Sequence, residues 1–159
     1  MKIQNLGQLF LLGLGLVGLS SGCTIHPPLQ KVNSLGKVTV GQMLPGYSGL
    51  STSGRTVGPV PSRGKFLINL LHPELPSFCV DEECGEIGVL AQKYGGQLQG
   101  TSDLKMGDIF GVLPPPDSSK NINEYGVLVI SNTKGRVISI YNHARPDSVH
   151  KVLEDLQKP

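Results

Sequence analysis

The chain has 159 residues, a formal net charge of +2 and ordinary globular composition, with 21 glycines, 12 prolines and no tryptophan. That length suits one domain large enough to bury a core without metal or several disulfides. A charge this small gives no argument for nucleic acid, since a phosphate-binding stripe would need Lys and Arg concentrated on one face, and that class is set aside.

Residues 1–22 read as an export signal and not as fold. Lys2 gives a positive start, Leu9–Leu19 is apolar apart from glycines, and Ser20, Ser21 and Gly22 are small residues before Cys23. The run is too short to cross a bilayer, which takes about 20 apolar residues. The ending LSSGC resembles a bacterial lipobox, which implies that Cys23 is lipidated and anchors the chain in the cell envelope, with the domain on the exported side. Ser20 stands where that motif usually has an aliphatic residue. Ordinary cleavage, leaving Cys23 a free thiol, or an uncleaved anchor are the alternatives. With Cys23 set aside, Cys79 and Cys84 remain as a pair in a compartment where disulfides persist.

Residues 23–35 contain Pro27-Pro28 and no apolar period, so they read as a tether to a domain over 36–159. Lys37–Val40 predicts a short strand, and Ser48–Gly64 a short hairpin or irregular loops. Phe66–Leu71 (FLINLL) is an almost unbroken apolar run, as in a central strand covered on both faces. His72 to Phe78 holds two prolines and is a turn. Val80, Cys84, Ile87, Leu90, Ala91 and Tyr94 are then spaced as one helix face, ended by Gly95-Gly96. Asp81, Glu82 and Glu83 would fill the first turn of that helix, complementing its dipole.

Gln97–Thr101 reads as a second strand, Lys105–Leu113 is ambiguous, and Pro114–Ser119 is a loop. Tyr125–Ser131 and Arg136–Tyr141 form an antiparallel hairpin. Pro146 opens a last helix through Val149, Val152, Leu153 and Leu156. Strand, helix, strand, hairpin, helix is the order of an α/β thioredoxin-like mixed sheet flanked by helices, here with a short N-terminal strand or hairpin extension.

A cysteine at a helix start sees unpaired N–H groups and the positive dipole end, which favour the thiolate, whereas Asp81, Glu82 and Glu83 oppose it. On a regular helix, residues five apart lie about 8 to 9 Å apart, beyond the roughly 7 Å Cα limit for a disulfide. Cys79 and Cys84 therefore bond only if the first turn unwinds. A redox pair, a static disulfide and two unreactive thiols are all open readings. Two thiols with only His72 nearby do not make a zinc site, and no cofactor is implied.

Val40–Tyr47 (VGQMLPGY), Gly64-Lys65 before FLINLL and Cys79-Val80-Asp81-Glu82-Glu83-Cys84-Gly85 together resemble the thioredoxin-fold peroxiredoxins, most closely the peroxiredoxin Q, or bacterioferritin-comigratory, group. Thr101-Ser102-Asp103 and Tyr125-Gly126-Val127 follow the same outline, and the similarity covers most of residues 38–157. It implies Cys79 as the peroxide-attacking nucleophile, Cys84 as the resolving cysteine, and a thiol reductant as partner. The family's threonine or serine three residues before the nucleophile and its proline seven before fall here on Pro76 and His72, with Ser77 and Pro73 one residue off. Those positions are the candidates for placing substrate. The family's arginine before the final hairpin has no counterpart in Asn121–Gly126. Thiol–disulfide exchange without peroxidase activity, and a non-catalytic lipoprotein with a structural bridge, are the alternative functions.

Overall fold

The computed structural model describes residues 27–112 and 126–159. Cys23 and the loop at Pro114–Ser119 lie outside them. Strand β1 is Gln30–Val32, and two small hairpins follow, β2 (Ser34–Leu35) with β3 (Val38–Thr39) and β4 (Gly49–Leu50) with β5 (Thr56–Val57). Then come β6 (Phe66–Leu71), β7 (Cys79–Val80), a 3-10 turn (Asp81–Cys84), α1 (Glu86–Lys93), β8 (Gly96–Thr101), α2 (Leu104–Phe110), β9 (Val127–Asn132), β10 (Val137–Asn142) and α3 (Ser148–Leu156).

Six strands form one mixed sheet in the order β1-β10-β9-β6-β8-β7. β6 pairs in parallel with β8 and antiparallel with β9, so α1 is the crossover of a βαβ unit and β9–β10 is the hairpin laid against its other side. This is the layered α/β arrangement of a thioredoxin-like sheet. β6 occupies the middle, and its four inner residues are buried because both faces are covered. On one face Ile68, Leu70, Leu98, Leu128 and Ile130 pack with Ala91 of α1 and Val149, Val152 and Leu153 of α3. On the other, Val127, Val129 and Ile140 pack with Val38, Leu44, Met106 and Phe110.

Beside that second cluster the same face is polar. Gln97, Gln99 and Thr101 of β8 and Asn69 of β6 are each 5% exposed or less. Buried polar groups need partners, and the N-terminal segments supply several of them. Ser62 N–H donates to Gln97 Oε1 at 2.7 Å, and the Tyr47 hydroxyl lies 2.6 Å from Asn69 Oδ1 and 3.1 Å from Gln99 Oε1.

Two sequence expectations change. Gln30–Val32, assigned to the tether, is an edge strand antiparallel to β10, too short to show a period. The helix expected from Val80 begins only at Glu86, because Val80 is extended in β7 and Gly85 adopts φ 75° and ψ −149°, a conformation open essentially to glycine. The ambiguous segment at 105–113 contains α2, whose Asp103 caps the Lys105 amide.

Candidate functional site: a bridged cysteine pair at the edge of the sheet

The turn that carries the cysteines leaves the carboxyl end of β6 and is pinned to the end of β8. His72 N–H donates to Thr101 O at 2.9 Å, Ser102 N–H donates to Pro76 O at 3.0 Å, and the Thr101 hydroxyl donates to Ser77 O. Two prolines block helix here, and these backbone contacts return the chain antiparallel to β8 as β7, with Cys79 opposite Gly100 and Val80 opposite Gln99.

Cys79 and Cys84 are joined in a disulfide with Cα atoms 5.2 Å apart. The unwinding that the spacing required is present: an extended residue, a left-handed Asp81 at φ 51° and a 3-10 turn replace the first helical turn. Cys79 is fully buried, while Cys84 is half-buried against the α1–α3 core, so Cys84 is the more accessible partner. Both sulfurs lie over Gly100, where a Cβ would stand 2.7 Å from Cys79 Sγ and 3.1 Å from Cys84 Sγ, with Leu75 Cδ1 at 3.0 Å. Only a residue without a side chain lets the bridge sit on the strand.

The acidic triplet is not a set of dipole complements at a helix start. Asp81 is fully buried; its Oδ1 accepts from Leu98 N–H at 3.1 Å, and its Oδ2 takes Arg63 Nε at 3.0 Å and Nη2 at 2.5 Å. Glu82 is bound by Arg55, by Arg63 at 3.3 Å and by Gln92 Nε2 at 2.8 Å. The Arg55 hydrogen bond is the main reason its carboxyl is held at a pKa of about 2. Glu83 accepts from Val80 N–H at 3.2 Å and from Ser51, Thr52 and Ser53. Burial works against its charge, yet these donors together hold its pKa below the usual carboxylate value. A pocket of about 370 Å3 opens beside β7, walled by Arg55, Arg63, Val80, Asp81 and Gln97 among others, and neither cysteine lines it.

The other sequence candidates do not gather round the bridge. His72 is buried, and its Nδ1 accepts from Glu74 N–H at 3.2 Å. Its ring packs against Gly126, on the side of β6 away from β8. Burial lowers its pKa from the ordinary histidine value. Pro76 and Ser77 are exposed and use their backbone carbonyls to hold β8.

Arg55, Arg63, Asp81 as a buried anchor and Gly100 are the residues sequence reasoning missed. Only Gly100 carried a signal, as a glycine inside a strand. Among the described residues no group of three or more His, Cys, Asp or Glu side chains is placed to hold a metal ion, and no helix is long and apolar enough to cross a membrane. No protein-family model matches the chain, and comparison with curated proteins returns no match.

Proposed function

We propose that this chain is a thiol redox protein, tethered to an envelope membrane through lipid on Cys23, whose Cys79–Cys84 pair cycles between disulfide and dithiol by exchange with a thiol or disulfide partner. The observation that carries the reading is the bridge itself: it closes over an unwound turn at the carboxyl ends of β6 and β8, with one cysteine buried and the other half-buried. In open α/β sheets that end of the strands is where ligands and chemistry are placed. A reductant thiolate attacks Cys84 Sγ, and the S–S bond breaks to release the Cys79 thiolate, which takes a proton. A second reductant thiol then displaces Cys84 from the mixed disulfide, leaving the dithiol and an oxidised reductant.

Exchange is better supported than peroxide reduction. A peroxide-attacking thiolate needs donors aimed at the oxygens on which charge develops. Here Cys79 sits on a strand, Pro76 and Ser77 turn their carbonyls to β8, and the guanidiniums of Arg55 and Arg63 are engaged by carboxylates. The peroxidase reading, with Cys79 forming a sulfenic acid that Cys84 resolves, is favoured by the CxxxxCG resemblance.

The test is to take lipidated protein from membranes in detergent, reduce it, and follow reoxidation by thiol trapping with either a disulfide or hydrogen peroxide. Exchange predicts faster closure with the disulfide. Cys79 oxidised by peroxide much faster than a free thiol would instead establish the peroxidase, and a bridge that glutathione or a dithiol cannot open in the folded protein would leave a structural disulfide. Mass analysis of the N-terminus reads the lipid on Cys23.

A further inference from the structure

We propose that Asp81 is the positioning residue that closes the Cys79–Cys84 bridge, and that the bridge and the buried Asp81 carboxylate hold each other in place. The inference rests on the redox reading above, since it assigns what sets the tendency of that pair to close.

A regular helical turn would hold these two Cα atoms about 8 to 9 Å apart, whereas they stand at 5.2 Å. The contraction is made at Asp81, whose φ of 51° turns the chain out of β7 and into the 3-10 turn that delivers Cys84. Non-glycine residues rarely adopt that conformation, and asparagine and aspartate tolerate it best. Tolerance alone does not choose it; the carboxylate does. β7 ends at Val80 opposite Gln99, and Asp81 Oδ1 then takes the amide of Leu98, the next N–H offered along β8.

Arg63 reaches in from the preceding loop and closes on Oδ2 with two N–H groups, so the buried charge is both paired and hydrogen-bonded. On the remaining side α1 presses Gly88 against the Asp81 backbone so closely that a Cβ would overlap its carbonyl. Strand, loop and helix thus fix one residue, and that residue fixes the approach of the two sulfurs. Without the anchor the turn relaxes towards helical spacing, the effective concentration of one thiol at the other falls, and the dithiol is favoured. By the same linkage, opening the bridge loosens the Asp81 to Leu98 hydrogen bond.

The experiment equilibrates the full chain in glutathione redox buffers and reads the oxidised fraction by alkylation and mass. Asp81→Ala is expected to lower the closure equilibrium about tenfold, a shift of about 30 mV towards a less negative potential for a two-electron couple. Asp81→Asn, which preserves size and an acceptor for Leu98, and Arg63→Gln, at a half-exposed side chain, are expected to give smaller shifts in the same direction. They supply the answer if Asp81→Ala fails to fold. Folded variants that all stay within threefold of the parent overturn the proposal.

Amide hydrogen exchange gives a readout independent of turnover. In Cys84→Ser, which cannot form the bridge, Leu98 N–H is expected to exchange at least tenfold faster than in the bridged chain, while the β6 amides are unchanged. Equal Leu98 protection overturns the inference. A bridged parent that resists every reductant, with Leu98 still exposed in Cys84→Ser, removes the redox reading and leaves the role of Asp81 standing.

Discussion

Gly100→Ala isolates the contact between the bridge and the sheet. The glycine has no left-handed φ, so alanine fits the strand backbone and the perturbation is one methyl group. Its Cβ would meet Cys79 Sγ at 2.7 Å, Leu75 Cδ1 at 3.0 Å and Cys84 Sγ at 3.1 Å. Carbon contacts settle at about 3.5 to 4.0 Å, so all three are too close by roughly half an ångström or more. The two sulfurs are bonded to each other and cannot retreat separately, whereas Leu75 Cδ1, at the end of a half-buried side chain, can turn aside, so the strain falls on the bridge.

Overpacking of this kind costs about 1 to 3 kcal/mol. In a chain of this size each kcal/mol lowers Tm by about 2 to 4 °C. Reduction releases the sulfurs to rotate separately, so the dithiol form escapes part of the penalty. If half the cost is relieved, the couple becomes easier to reduce by roughly 10 to 30 mV, taking 1.4 kcal/mol as about 30 mV. Thermal unfolding of the oxidised and reduced proteins, followed by circular dichroism, measures both effects. An oxidised variant as stable as its parent, or equal losses in the two redox forms, would refute the placement of the bridge over Gly100.

Three further perturbations probe the surroundings. Burial disfavours the charged form of His72, so its folded pKa lies below the unfolded value of about 6.5. The unfolded chain therefore binds the extra proton first as pH falls below that value, and stability declines with falling pH over that window. His72→Gln is expected to flatten the slope in urea titrations run across it. Tyr47→Phe removes the hydroxyl shared by Asn69 and Gln99, leaving buried amide oxygens short of a donor, and should cost about 1 to 3 kcal/mol by urea midpoint. Gly88→Ala sets a methyl on the Asp81 carbonyl, so α1 must lift from the turn. A loss of about 3 kcal/mol or more is expected, together with faster exchange at Leu98.

The central architecture was legible because the burial of these elements follows the period of each one. FLINLL is covered on both faces, the last hairpin reads directly as two strands, and Val149, Val152 and Leu153 face the core of α3 as their spacing requires. The first helix misled because Val80 is buried and Cys84 half-buried for other reasons, one in an edge strand and one in a 3-10 turn, at positions that match a helical face by coincidence. Polar alternation along β8 suggests a solvent face, yet Gln97, Gln99 and Thr101 lie beneath the N-terminal segments and the cysteine turn, a long-range cover that no local pattern announces. The partnership of Asp81 with Arg63 was hidden for the same reason. A carboxylate ahead of a helix has a sufficient local explanation, and its cation comes from a separate loop.

The direction of β1 bears on where the bridge works. Gln30 pairs with Asn142, Asn142 with Val127, and Val127 with Leu71, so the chain enters the sheet at the same end that carries the cysteine turn, at the opposite edge. Cys23 and Gln30 are 30 − 23 = 7 residues apart, a reach of at most about 25 Å at full extension. From β1 to β7 there are five strand spacings, or about 24 Å more. On a chain anchored at Cys23 the bridge is thus confined to a shell about 50 Å deep over the bilayer. With the lipid proposed for Cys23, its encounters would be set by what enters that surface layer and by diffusion along it.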